Sequence, residues 1–532
     1  MSADQGWSAD RSAAGTRNPW AIAWILSLAT FMEVLDTSIA NVALLHIAGT
    51  LGASVDEATW ILTSYLVANA VILPIGGWLS EVIGRKRFYM ACVALFTLSS
   101  LTCGLAPTLP LLIAARVFQG LGGGGLAPSE QSMLADTFPP SKRSQAFALY
   151  GVTVIVAPAL GPTLGGYIAD YVSWRWVFFI NVPVGLMSLA LVTMLVDEPE
   201  TLVRERKERW RGRLSVDYVG FALVALALGF LEIVLDKGQE DVWFNSPFIV
   251  VCALISAVGF LALAPWELTR ADPIVDLRLL GRRQFGVSFA VMLAVGALLF
   301  SSTQLLPQLL QQNYGYTATW AGLTLMPGGL IALATMASAG QISRFVQPRY
   351  LMGGALIAIG FALAHFTDFS PAADFWWFAW SRVEQMAALP FLFLTITSYS
   401  YVGLPPDKSG QASSLINVAR NLGGSFGVSM AQTLLARREQ FHQSRLVESL
   451  LPTSPVYRQT LSQAAAHFSQ HGTGTVDAQR QAVSWIGQTL TNQAAYLAYI
   501  DVFAVLALFA WTLTPISLLL RSVDLRAPRT GH

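Results

Sequence analysis

Fourteen times along its length the chain runs for close to twenty residues with scarcely a charge, and that recurrence restricts the fold more than any other feature. A helix that crosses hydrocarbon needs about twenty mainly apolar residues. Lipid also leaves every backbone polar group to be satisfied inside the protein, so such runs are expected to be helices. They cover approximately 20–44, 57–79, 88–106, 109–134, 145–168, 175–196, 215–236, 247–267, 285–311, 318–340, 350–366, 375–402, 410–436 and 497–520. Only 12% of the 532 residues are charged, about half the share of a soluble domain, which makes an all-α polytopic membrane protein the expected class. A formal net charge of +1 offers no basic excess for a nucleic-acid backbone. The first eighteen residues are polar, so the first run is expected to be retained and not cleaved as a leader.

Of 33 lysines and arginines, 23 fall in segments that share one face if the spans alternate, the face that also holds both chain ends. Cytoplasmic loops hold the positive charge, so both termini are expected inside. Short loops on the other face hold only Arg175 and Lys237, and five basic residues lie in the long segment 437–496. Arg116, Arg382 and Arg420 fall within spans.

Two of those buried arginines belong to an internal repeat. RVFQG begins at Arg116 and RVEQM at Arg382, 266 residues later, and FPPSKRSQA matches LPPDKSGQA at the same offset, as Gly161 matches Gly427. Spans 4 and 5 therefore correspond to spans 12 and 13 in the same orientation, and parallel halves of six spans around a central site describe the major facilitator architecture. The expected organisation is a tail 1–19, a six-helix bundle 20–196, a basic linker 197–214 and an inserted helix pair 215–267. A linker 268–284, a second bundle 285–520 containing the exposed segment 437–496, and a tail 521–532 complete it.

The chain resembles the fourteen-span drug:proton antiporters, most closely the EmrB-type multidrug exporters. The likeness runs through SLATFMEVLDTSIANVA, TVIVAPALGPTLGGYIAD, WVFFINVPVG, DPIVDL, LLPQLLQQNYGYTATWAG, GLPPDKSGQASSL and WIGQTLTNQ. It implies export of amphipathic toxic compounds from the bacterial inner membrane, driven by inward proton flow without a cofactor. It also implies a periplasmic adaptor and an outer-membrane channel of the TolC kind, for which segment 437–496 is the natural docking surface, lipid contact being the alternative.

GGWLSEVIGRKR, 76–87, resembles the facilitator loop signature, with Gly77, Glu81, Gly84, Arg85 and Lys86 in its places and Val82 where an arginine is usual. An acid at such a helix end can pair across to the other bundle as a gate, although a positive anchor would use the same cations. GVTVIVAPALGPTLGG, 151–166, resembles the antiporter motif. Its Pro158 and Pro162 allow a bend, and Gly161, Gly165 and Gly166 allow close backbone approach. GLGGGG, 120–125, satisfies a nucleotide fingerprint only formally, since it sits within an apolar span after no strand; close helix packing is the expected role.

Glu33 and Asp36 are three residues apart in span 1 and so share a helix face. An arginine within a bilayer usually has a partner. At 1.5 Å per residue Arg116 and Asp36 come to similar depths, roughly 10 Å and 6 Å from the outer boundary, so they form a candidate pair. Desolvation and a nearby cation shift a carboxylate in opposite senses, and rearranging such a pair can load or release a proton. Asp36 is thus the expected proton carrier, with Arg116 beside it and Glu33 as a second acid or a contact for cationic substrate. LDTSIANVALL resembles the drug-exporter motif that gives this aspartate its role, departing at Leu45, where a proline is usual, and at Glu33, where close relatives have a neutral amide. The expected cavity residues are Glu33, Asn41, Gln119, Glu130, Arg382, Glu384, Asn417 and Arg420, a solvated helix end being the alternative for Glu130.

Glu232, Asp236 and Asp501 lie near the outer boundary, where side chains can snorkel, and take no role. Cys92, Cys103 and Cys252 are expected to be packing residues. His442, His467 and His471 have no close metal-ligand spacing and are expected at the surface, with no metal site. A dedicated exporter of one amphiphile such as a fatty acid is the alternative within transport. A polytopic enzyme is disfavoured by the want of H-x4-D, H-E-x-x-H and G-x-S-x-G motifs.

Overall fold

The computed structural model describes residues 18–139, 142–197, 217–270, 273–343, 345–404, 408–448, 450–451, 453–470 and 474–520. Most of the basic linker 197–214, nearly all of both tails, His471, and Pro140, Pro405 and Pro406 of the repeat lie outside them. The described chain is helical, and twelve of its helices are long and apolar enough to span a membrane on those grounds alone.

In the first half these are α1 (Pro19–Leu51), α2 (Val55–Ile83), α3 (Arg85–Leu105), α4 (Leu109–Gly123 and Leu126–Thr137), α5 (Arg143–Tyr171) and α6 (Trp176–Phe179 and Asn181–Leu195). The inserted pair is α7, which runs from Tyr218 to Lys237 through a π-turn at Ala225–Gly229, and α8 (Pro247–Thr269). The second half holds α9 (Arg283–Asn313), α10 (Ala318–Ile342), α11 (Pro348–His365), α12 (Phe375–Tyr399), α13 (Ser409–Glu448) and α14 (Thr475–Ser517). The two helices outside the apolar twelve, α12 and α13, are those that carry Arg382, Glu384 and Arg420. Their polarity faces neighbouring helices, which is why length and hydropathy alone undercount them.

Caps fix several entries. Ser54 and Glu57 form a reciprocal capping box at the start of α2, and Asn18, Thr317 and Asp374 cap α1, α10 and α12. Gly84 joins α2 to α3 at φ +105°, a backbone conformation that side chains oppose.

The halves meet along two seams. α5 packs lengthwise on α10, and α2 on α13, while α7 packs against both α2 and α13. The face bearing the start of α1 and the end of α14 is termed the terminal face. Beyond the opposite, loop face, α13 and α14 continue as unbroken helices with the short helix Pro455–Gln470 packed on α14. The segment 437–496 is therefore mainly extensions of two spans, and not a string of separate short helices. DAQRQAVSWIGQTLTNQ is the first half of α14 itself. Arg438 and His442 of α13 both reach Asp501 of α14 at 2.6 Å, so Asp501 clamps the two extensions at their base, and His442 is half-buried there.

Candidate functional site

Asp36 and Arg116 meet. Arg116 Nη1 lies 2.6 Å from Asp36 Oδ2, and both side chains are 0% exposed. Gln119, one turn along α4, donates to Asp36 Oδ1 at 3.0 Å, and Asn181 of α6 donates to the same oxygen at 2.6 Å. Arg116 also donates to Gln119 Oε1 at 2.9 Å and from Nε to the Ile61 carbonyl of α2 at 3.1 Å, with Tyr65 stacked 4.3 Å from its guanidinium. Ser100 of α3 closes the set by accepting from Gln119 and Asn181. One ion pair thus touches α1, α2, α4 and α6, and its partners Gln119 and Asn181 extend the network to α3. A buried pair of this kind is costly to break at one partner, because the other charge is left without compensation.

The five glycines of the rejected fingerprint make this approach possible. A carbon on Gly122 would sit 2.7 Å from the Phe96 amide of α3, and one on Gly124 2.7 Å from the Asn69 carbonyl of α2. At Gly124 and Gly125 the helix of α4 is interrupted.

Glu33 lies on the same face of α1, buried, and receives Tyr65 Oη at 2.9 Å and Asn69 Nδ2 at 3.4 Å. Asn69 in turn accepts from Asn421 of α13 at 3.1 Å, which carries the network across the seam. Glu33 therefore contacts neutral donors. Glu130 is 0% exposed and accepts from Ser27 at 2.5 Å, with its other oxygen unpartnered, so it is no solvated helix end. Its neighbour Gln131 accepts from Asn417 at 3.0 Å, and Arg420 and Asn417 both bond Tyr150 of α5, at 2.6 and 2.9 Å.

In the second half Arg382 donates to Ser302 at 3.1 Å, Thr303 at 2.5 Å and Gln385 at 2.7 Å. Glu384 does not join this group. It turns to His365 of α11 at 2.8 Å, on the other side of α12, so the expected cavity role for it is withdrawn. Asn41, between Asp36 and the loop-side end of α1, is exposed.

At the terminal face Arg85 pairs with Asp136 at the end of α4 and donates to Ser409 of α13 at 3.1 Å. A carbon on Gly77 would meet the Gly410 carbonyl at 2.9 Å, and Glu81 Oε1 lies 3.5 Å from where a carbon on Gly410 would be. Lys86 instead reaches the Thr193 carbonyl of α6 at 3.1 Å. The signature loop thus lies against the start of α13, with the crossing made by Arg85. In α5, which carries Pro158 and Pro162 within it, Gly161 abuts Ser38 and Gly165 abuts Ile39 of α1. Gly166 packs on Thr319 of α10, where an added carbon would come within 3.1 Å of its amide.

Sequence reasoning missed Glu232. It is buried in the inserted helix α7 and accepts from Ser425 of α13 at 2.5 Å, one turn from Asn421. Asp236, one turn toward the loop face, bonds Thr63 of α2, and Lys237 then pairs with the half-exposed Glu240 at 2.6 Å. Polar groups therefore run from the loop face along α7 to the Asn421–Asn69–Glu33 chain. The signal available was the spacing of Glu232 and Asp236, which places both on one face of a helix.

A model of the Major Facilitator Superfamily matches residues 26–428. The multidrug export protein EmrB of Escherichia coli K12 is 41% identical over 90% of both chains. The probable multidrug resistance protein EmrY of the same organism is 40% identical over 82% of this chain and 84% of its own. The fatty acid resistance protein FarB of Neisseria gonorrhoeae is 37% identical over 93% and 95%. Among solved structures, the proton:xylose symporter XylE of E. coli overlays with a TM-score of 0.58 at 16% identity, covering 93% of this chain and 96% of that one. The human organic anion transporter MFSD10 gives 0.56 at 13% identity, over 93% and 100%. At such identities the likeness is one of fold.

Proposed function

The chain belongs to the major facilitator superfamily and is a multi-pass multidrug efflux transporter of the EmrB type, and from that premise we propose that it exchanges amphipathic compounds for protons through Asp36. The enclosed Asp36–Arg116 pair carries this reading. A proton on Asp36 removes the charge that holds Arg116, and Arg116 is bonded to the backbone of α2 as well as to α4. Protonation there changes the packing of the first half, and a ligand or proton shifts a two-state protein only through such differential interactions. Glu33 links that event to the second half through Asn69 and Asn421, and supplies a negative group for cationic compounds.

Protons would enter from the loop face along Asp236 and Glu232, which gives the inserted pair a role in coupling. One charge moving inward is worth about 2.3 kcal/mol per 100 mV of membrane potential. At about 1.4 kcal/mol per tenfold, that sustains roughly a fiftyfold gradient of a neutral drug. The energy source is then the proton gradient, with no cofactor. The basic residues of the terminal face favour cytoplasmic termini in an inner membrane. The extensions of α13 and α14 beyond the loop face, the latter about 33 Å long at 1.5 Å per residue, are suited to a periplasmic adaptor that leads to an outer-membrane channel of the TolC kind. The relationship to FarB supports a second reading, a dedicated exporter of fatty acids.

Expression in a strain stripped of its own pumps tests the function. Resistance to chemically unrelated toxins should appear with the wild type and vanish with Asp36→Asn at equal membrane abundance. Resistance to fatty acids alone would favour the second reading.

A further inference from the structure

The two halves carry the same constellation and differ in one charge. At the repeat offset of 266, Arg116 and Gln119 correspond to Arg382 and Gln385, and Asp36 corresponds to Ser302. The geometry follows the correspondence: Arg382 Nη1 bonds Ser302 at 3.1 Å and Gln385 at 2.7 Å, as Arg116 Nη1 bonds Asp36 and Gln119. Gln385 donates to Ser302 at 2.8 Å, as Gln119 donates to Asp36.

Arg382 is 2% exposed, and its Nε has no hydrogen-bond partner. Among the described residues no carboxylate lies within ion-pair distance of it, since Glu384, two positions on, is bonded to His365. A guanidinium held within a membrane bundle by neutral groups has its hydrogen bonds partly met and its charge unmet. The site is within reach of the outside of the bundle. Thr303, which accepts from Nη2 at 2.5 Å, is half-buried, and the next residue, Gln304, is exposed.

We propose that Arg382, Ser302, Thr303 and Gln385 form a binding site for the carboxylate of an amphiphilic monoanion, which supplies from outside the counter-charge that Asp36 supplies in the first half. The guanidinium offers two edges to a carboxylate, the arrangement in which arginine is strongest. The Ser302 and Thr303 hydroxyls can rotate to donate, and Gln385 Nε2 is a further donor. The site rests on the export reading and narrows it, because the transporter would hold cationic compounds by Glu33 in the first half and carboxylates by Arg382 in the second.

The test is binding of radiolabelled octanoate to the full chain in phosphatidylcholine nanodiscs, beside octanol of the same chain length. Arg382→Gln should weaken octanoate at least tenfold, and Ser302→Asp, which installs an internal counter-charge, should do the same. Octanol should bind both variants as it binds the wild type, which reports that they are folded. Octanoate affinities within twofold of wild type in both variants would overturn the site, as would displacement of octanoate by millimolar chloride, which would mark a simple anion site. No gradient is used, so failure here leaves proton-coupled export to be judged by its own transport assay.

Discussion

Asn421 of the second half donates to Asn69 of the first at 3.1 Å, and this bond joins Glu33, and through its helix face the Asp36–Arg116 pair, to the opposite bundle. A single such bond contributes about 1 kcal/mol net, enough to move a two-state equilibrium several-fold. Asn421→Ala should therefore shift the conformer populations roughly threefold to tenfold without loss of protein from the membrane. Spin-label distances between the ends of α2 and α13 would show the shift, and an unchanged distribution would remove this bond from the coupling.

Glu232→Gln keeps the hydrogen bond to Ser425 and removes the titratable group. Proton-driven export should slow at least tenfold, while equilibrium binding of a neutral drug changes less than twofold. Wild-type export rates in Glu232→Gln would return α7 to a packing role.

Arg85 reaches from Asp136 across to Ser409 at the terminal face, a contact suited to hold that face closed. Arg85→Ala should raise labelling of a cysteine placed at Ser413 by a membrane-impermeant thiol reagent, in everted vesicles and in an otherwise cysteine-free chain. Labelling equal to that of the intact loop would show that the closure lies elsewhere.

A side chain at Gly161 has no room beside Ser38. Gly161→Val should lower both export and the melting temperature, whereas Gly49→Ala, where an added carbon meets nothing within 4 Å, should leave both unchanged. Loss of export at an unaltered melting temperature would mark Gly161 as a moving contact and not a packing one.

Much of this arrangement was legible in the residues. Helix rise alone places Asp36 and Arg116 at one depth, and the repeat predicts that Arg382 occupies the corresponding place in the second half. Glu384 was misjudged against the same rule, since two residues on a helix lie about 200° apart and it could not share a face with Arg382. The spacing that sets Glu232 and Asp236 on one face does not say that α2 and α13 cover that face, and Asp501 finds Arg438 and His442 only because α14 lies against α13, which no periodicity within one helix reports. The extensions of α13 and α14 were hidden because hydropathy marks where lipid ends, and a helix need not end there.

Proton coupling through Asp36 is tested most directly in proteoliposomes with an imposed pH gradient, by measuring drug flux and proton flux together for the wild type and Asp36→Asn. The wild type should move the two in opposite directions and collapse when the gradient is dissipated. Asp36→Asn should still bind drug and show no gradient-driven flux of either. Drug accumulation by Asp36→Asn at the wild-type rate, with protons moving in exchange, would contradict the assignment of the proton to Asp36.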